Sequence, residues 1–422
     1  YDPPGDRYQI HELLRQYGAL RLAEKPEQEA EAHDRHSRHF CAWLQALGQD
    51  LRGPRQEAAF AEIETELENA RAACLWAAAQ GRADRLNQAV YALGWYYHRW
   101  GVAGAGEATF RALVERLGTG EVRPKGTDKS MDWAMVRLCL WRSLFASVLG
   151  NSARCDRLAH TALAILDSPA LAGEDTRSER AFAWMQMGFA VRESDPEEAW
   201  LHFSRSQRLY EEIGDSLGMS DALHGLGRAA RNLRDFEAAE RAVAESLRLR
   251  REAGDELGAI NATSLLGHIA LWQGDFARAE HLLSQSLTKH EWSNFWLSHS
   301  LLLAGRFEKA RAAAADTLVV YSDLGQRREL AYSMAILGQC HQHLGDYQAA
   351  RVNAQEELTL AQDVGLAGGV GMGLGLLGAL AMAEGDYAEA RTRCEASLTV
   401  WQQSLGHPSE FVGEWACLAL AA

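Results

Sequence analysis

The sequence is poor in the features that direct a chain to a membrane, to an oxidising compartment or to nucleic acid. Its 422 residues contain no apolar run near the roughly 20 that a membrane span needs. No basic-then-apolar leader opens it, so the expected location is the cytoplasm. The seven cysteines (Cys41, Cys74, Cys139, Cys155, Cys340, Cys394 and Cys417) are scattered, with no Cys-x-x-Cys pair. An odd, scattered set fits buried thiols in a reducing compartment better than a disulfide framework. Lysine and arginine number 43 against 57 aspartates and glutamates, for a net charge of −14. That balance argues against a general nucleic-acid surface, which needs clustered cations to neutralise phosphates. Prolines are also few, eight in all and four of them before residue 60. With so few helix breakers and 47% hydrophobic residues, the chain reads as helical nearly throughout, with a large buried core.

Catalytic signatures are missing as well. No Gly-x-Ser-x-Gly elbow occurs, and His11-Glu12 is followed by Leu13, Leu14 and Arg15, so a zinc-protease pattern fails at its last histidine. His33, His36 and His39 are spaced i, i+3, i+6, so only adjacent pairs share a helix face; no carboxylate or cysteine completes a metal shell at a suitable spacing, and the group reads as a solvated helix face. The expectation is a chain with no catalytic residues, no metal and no cofactor of its own.

What is present is a repeat. Arg234-Asp235-Phe236, Gly274-Asp275-Phe276, Gly305-Arg306-Phe307, Gly345-Asp346-Tyr347 and Gly385-Asp386-Tyr387 place their aromatics 40, 31, 40 and 40 residues apart. Alanine follows each aromatic by three residues, at Ala239, Ala279, Ala310, Ala350 and Ala390. Nine residues before each aromatic sits a small residue: Gly227, Gly267, Ser298, Gly338 and Gly378. A fixed period of this kind means a stack of two-helix units. In one unit, Leu223, Leu226, Gly227 and Ala230 make a stripe at helical spacing, and Gly227 lets a second helix approach. Asp235 can cap that second helix, whose inner stripe is Phe236, Ala239 and Val243, and Gly254 ends it. The unit starting near Trp292 has lost nine residues from the connection before it and should change the local superhelix. Gly373-Leu374-Gly375-Leu376-Leu377-Gly378 matches a dinucleotide fingerprint only in letters. No strand precedes it, Gly378 is the repeat's own small position, and the stretch reads as a soft repeat helix.

This order of Leu-Gly, Gly-Asp-aromatic and alanine resembles the tetratricopeptide repeat (TPR) in a 40-residue form. The resemblance covers about residues 129–422, roughly seven units with weaker ones through Gly188 and Ser143, and implies an all-α superhelical solenoid. The first part of the chain resembles another module. Gly5 to Tyr17, read as a turn, a short strand and a helix, is similar to the end of the winged helix of bacterial STAND ATPases (signal-transduction ATPases with numerous domains), the class of the maltose-regulon activator. Leu51-Arg52-Gly53, the Glu66–Ala73 stretch and Trp76-Ala77 resemble that family's link to its TPR array, and Leu93 to Trp100 with Glu107 its first helical pair. The implied organisation is a winged-helix remnant at 1–24, a linker and first helical pair at 25–128, and the array beyond. No Gly-x-x-x-x-Gly-Lys-[Ser/Thr] loop occurs, so an ATPase module is expected upstream and the chain is expected to be part of a longer protein.

In such arrays the first helices line the concave face. Phasing on the small residues puts Phe189, Arg192, Asp221, His224, Arg228, Arg231, Asn261, His268, Trp272, Trp292, Phe295, His299, Tyr332 and Gln339 on that wall. Arginines beside aromatics suit a binding groove: rings give contact area, and guanidinium forks hold carboxylate or phosphate. The competing reading buries the aromatics between repeats and pairs the arginines with local acids. Tyr91, Trp95 and Trp100 read as core of the first helical pair, and Arg248, Arg250 and Arg251 as a solvated face. Two functions follow from the resemblance: a sensing arm that holds a STAND-type ATPase module until a peptide, protein or small molecule fills the groove, or a constitutive scaffold docking a partner's peptide. Neither implies membrane or direct nucleic-acid contact, and self-association is compatible with both.

Overall fold

The computed structural model describes residues 12–99, 102–118, 128–286, 291–323 and 327–405. Among these there are nineteen α-helices and no strand. The first five are α1 (Glu12–Ala23), α2 (Pro26–Leu47), α3 (Gln56–Ala79), α4 (Ala83–Arg99) and α5 (Ala103–Arg116). Repeat pairs follow: α6 (Lys129–Val148) with α7 (Ser152–Leu166), α8 (Arg177–Val191) with α9 (Pro196–Ile213), α10 (Ser216–Asn232) with α11 (Phe236–Ala253), and α12 (Glu256–Trp272) with α13 (Phe276–Ser286). The last are α14 (Glu291–Leu303) with α15 (Phe307–Asp323), α16 (Arg327–His343) with α17 (Tyr347–Asp363), and α18 (Ala367–Ala383) with α19 (Tyr387–Leu405). The turn and strand expected before α1 lie outside the described residues, as do Trp100 and Cys417. The other six cysteines are buried free thiols. None of the described helices is long and apolar enough to cross a membrane.

The periodic residues do the work their spacing predicts. A Cβ built on Gly227 would lie 2.2 Å from Val243, one on Gly267 2.7 Å from Leu283, and one on Gly378 2.7 Å from Cys394, each on the following helix. A Cβ on Gly338 first meets Leu376 of the next repeat, at 2.7 Å, before its own partner helix. The alanines after the aromatics are buried: Ala239, Ala279, Ala310 and Ala350 have no exposed surface. Asp235, Asp275, Asp346 and Asp386 each accept a hydrogen bond from the amide three residues on, at 2.9–3.1 Å, which satisfies a free donor of the second helix. Arg306, at the matching position, has no acceptor to offer and instead pairs with Glu280. The residue before each aspartate needs a left-handed backbone. Gly274, Gly345 and Gly385 supply it at φ 78, 82 and 83°, whereas Arg234 adopts φ 61° as the one non-glycine with positive φ among the described residues. In the shortened unit, the described residues include α13 from Phe276 to Ser286 and α14 from Glu291 to Leu303.

The glycine-rich α18 is a continuous helix, and its glycines are contact sites. A Cβ on Gly371 would sit 2.3 Å from the indole of Trp401, and one on Gly373 would sit 2.1 Å from the carboxyl of Glu357.

The chain forms two compact units. The first contains residues 1–191, 201–222 and 253–255, and the second contains 192–200, 223–252 and 256–422. The first unit holds a fastening that sequence reasoning did not identify. Arg52 points its Nη2 at Asp221 Oδ2 (3.0 Å), donates to the Leu217 carbonyl (3.2 Å) and lies 4.7 Å over the Trp95 ring. Asp255 stands 3.9 Å away, and Gln56 donates to the Gly254 carbonyl at 3.3 Å. Burial lowers the pKa of Arg52, but Asp221, with Tyr91 and Asp255, more than offsets it and holds the pKa above the usual arginine value. The Leu51-Arg52-Gly53 segment is therefore folded onto α10 and the turn before α12. Two expectations are corrected here. Arg250 is buried and bonded to Ser246 rather than solvated, because α11 turns that side inward. Tyr91 is 44% exposed although its ring meets Trp95 and Trp141.

Candidate functional site

Of the wall residues, Phe189 and Asp221 belong to the first unit, and the others belong to the second. Phe189 is half-buried edge-on against Phe203 at 5.0 Å, and Asp221 is taken up by Arg52. The side chain of Trp292 lies outside the described residues.

In the second unit the wall has two chemically different parts. One part is aromatic. His268 of α12 meets Trp296 of α14 at a centroid distance of 4.0 Å. Phe295 contacts Trp296 (5.0 Å), His299 (6.4 Å, stacked) and Tyr332 of α16 (6.0 Å). Phe295, His268 and His299 are buried, and Phe295 belongs to a core that runs from Leu271 through Leu283, Leu301 and Ala310 to Ile336. Trp272, Tyr332 and Gln339 are half-buried. Burial pulls the pKa of His299 down to about 4, so this ring is neutral at physiological pH. The phasing thus placed Phe295 at a position that the fold fills as core. The half-buried indole is Trp296, one residue on, which the sequence reading missed. Its signal was the adjacent Phe295-Trp296 pair, in which one ring goes inward and the next lies at the boundary.

The other part is cationic. Arg228 is half-buried on α10, its Nε buried, with no hydrogen bond or ion pair to any described residue. Arg192 is the first residue of the α8–α9 connection, and its Nε donates to Glu193 at 3.1 Å. Asn232 joins the group: its Nδ2 donates to the Arg192 carbonyl (2.9 Å), and its Oδ1 accepts from Arg231 Nη2 (2.8 Å). Burial first, then the charges of Arg192 and Arg231, pull the pKa of Arg228 down to about 9, with Glu193 acting weakly the other way. His224, a turn before, is half-buried. Asn261 of α12 is half-buried with its Oδ1 enclosed and without a donor among the described residues. Its neighbour Ala262 shares a core with Ala230 of α10, so the amide stands beside the arginine-bearing helix. Among the described residues no cluster of three potential metal ligands occurs.

The fold is an all-α solenoid of TPR-type two-helix repeats. A Rap protein in complex with competence and sporulation factor has the same architecture, with a TM-score of 0.60 and 13% identity, over 90% of this chain and 100% of that one. So does a Rap conjugation gene regulator in complex with a Phr peptide, with a TM-score of 0.53 and 14% identity over 88% and 96%. A STAND protein with a TPR sensor from Pyrococcus horikoshii matches at a TM-score of 0.50 and 13% identity, over 79% of this chain and 52% of that protein. At such identities the likeness shows the fold alone. No protein-family profile and no curated protein sequence matches the chain.

Proposed function

We propose that the chain is a non-catalytic binding module that recognises an extended partner, a peptide or flexible protein segment, along the first helices of its second unit. The observation that carries this reading is the half-buried Trp296, set among His268, Phe295 and His299, in the same unit as a cluster of three arginines. A large ring with one face in the core and one at the boundary is a preformed anchor of the kind that dominates interface energies. A fold neighbour that is a peptide complex supports the same reading. The test is to pan a peptide library against the full chain and measure the selected binders by calorimetry. Trp296→Ala should weaken them by about tenfold or more, the loss typical of a central interface tryptophan. Binders indifferent to both Trp296→Ala and Tyr332→Ala would overturn the proposal.

The finer reading makes the module the sensing arm of a STAND-type ATPase. It is supported by the Leu51-Arg52-Gly53 segment, which resembles that family's linker and is clamped onto repeat residues Leu217 and Asp221. A partner can release such an arm only by binding its closed and open forms with different affinity. In a protein carrying the ATPase module, truncation at about Asp128 should abolish inducible ATP turnover. Turnover that stays inducible would leave the constitutive scaffold as the reading.

A further inference from the structure

We infer that Arg192, Arg228 and Arg231 form the receptor for a carboxylate-bearing end of the partner, so that the module selects acidic peptides. The inference rests on the peptide-binding reading above and names the chemistry at one place on that wall. Three guanidiniums are gathered at the end of α10, with Asn232 between two of them. Asn232 holds the backbone of Arg192 with one end of its amide and the side chain of Arg231 with the other. The nearby acid, Glu193, has a side chain 69% exposed and bonds Arg192 from the solvent side. Arg228 makes no hydrogen bond or ion pair with any described residue, although its Nε is enclosed by protein. A folded chain ordinarily gives a buried donor a partner, because an unmet one costs its full desolvation. Arg228 pays that cost in the free protein, and an incoming anion would remove it.

The choice of carboxylate follows from the surroundings. The guanidinium edge matches a planar carboxylate through two parallel hydrogen bonds. A half-buried position admits a monoanion at lower desolvation cost than a phosphate dianion. Asn261, on the next repeat's first helix, has an enclosed carbonyl oxygen that lacks a donor among the described residues, and a peptide amide is the complementary group. The chain as a whole carries −14, so a free acidic peptide is repelled elsewhere and gains attraction only where local charge is inverted.

The experiment uses the full chain and three probes at equal ionic strength: an acetylated peptide of one tryptophan followed by three glutamates, its glutamine counterpart, and inorganic phosphate. The glutamate peptide should bind about tenfold or more tightly than the glutamine peptide, as expected for a charge-assisted pair. Arg228→Met should erase that preference while raising the melting temperature of the free protein by about 2 °C, because it removes an uncompensated buried cation. Arg228→Lys should keep part of the preference. Equal affinity for the two peptides would overturn the inference. Binding of phosphate without binding of the glutamate peptide would make the cluster a phosphate site and overturn it as stated. A lowered melting temperature in Arg228→Met with the preference intact would make the arginine structural. A glutamate preference untouched by Trp296→Ala, at unchanged affinity, would leave the anion site standing and remove the aromatic groove. Equal affinities that both fall in Trp296→Ala would do the reverse.

Discussion

Two arginines, one in each unit, show how the same side chain serves opposite ends. Arg52 is half-buried, and its pKa is held above the usual arginine value. Asp221 and Asp255 face it, a backbone carbonyl accepts from it, and Trp95 lies beneath it. Arg228 is also half-buried, and its pKa falls to about 9: burial lowers it first, and Arg192 and Arg231 lower it again, with Glu193 acting the other way. Burial depth does not separate the two; the sign of the surrounding charge does. A guanidinium surrounded by acids is a fastening that the fold has completed. One surrounded by its own kind is a fastening left open, which is what a receptor for an anion requires.

The sharpest way to break this contrast is at Arg52. Arg52→Ala removes the cation that faces Asp221 and Asp255 and should destabilise the first unit by about 3 kcal/mol, read by urea unfolding followed through tryptophan fluorescence. An effect under about 1 kcal/mol would mean that the fastening is incidental. The opposite sign expected for Arg228→Met completes the comparison.

Glu357 extends it to a third case. Its carboxyl is fully buried in the niche left by Gly369 and Gly373, with no hydrogen-bond partner among the described residues, and burial raises its pKa to about 9. The sealed group thus goes neutral, whereas the half-open Arg228 keeps its charge at physiological pH. Between the ordinary glutamate value of 4.5 and about 9 the folded chain binds one proton more than the unfolded chain. Stability from this site is therefore complete below pH 4.5 and falls as pH rises toward 9. At pH 7 the loss amounts to about 3 kcal/mol. Glu357→Gln removes the proton linkage at the expense of a buried amide, so it should be about 2 kcal/mol more stable than the natural chain at pH 7. That gain should vanish below pH 4.5, as measured by denaturation at several pH values. A pH-independent difference would place the carboxyl in water.

The smallest effect is expected at the turn before α11. Arg234 occupies a left-handed backbone that its counterparts fill with glycine. Arg234→Gly should stabilise the α10–α11 pair by about 1 kcal/mol, less the entropy that glycine loses on folding. Gly345→Ala should shift stability by a similar amount the other way. Parallel thermal melts of the two variants check the pair.

Much of the fold was legible, and for a definite reason. The turn aspartates, the small residues and the buried alanines act over one to nine positions of sequence, and helical geometry converts that spacing directly into contacts. Wall positions were legible only as a helix face. Residues 292–296 show the limit: phasing chose Phe295, the fold put it in the core, and Trp296 took the boundary. Arg250 erred in the other direction, read as solvated and found bonded to Ser246. One residue on a helix turns a side chain by about 100°, enough to exchange core for surface.

By itself, the sequence determined the period, the two-helix unit, the caps and the close approach at Gly227, Gly267 and Gly378, because each depends on neighbours within one two-helix unit. Tertiary structure alone decided which buried charges found partners. Arg52 reaches Asp221 across 169 positions and Asp255 across 203, and no local pattern encodes that meeting. Arg228 has acids within a few turns in sequence, none of which pairs with it in space. Local geometry falls off within a turn or two, whereas charge compensation in a low-dielectric interior is settled by whatever the whole fold brings within a few ångströms.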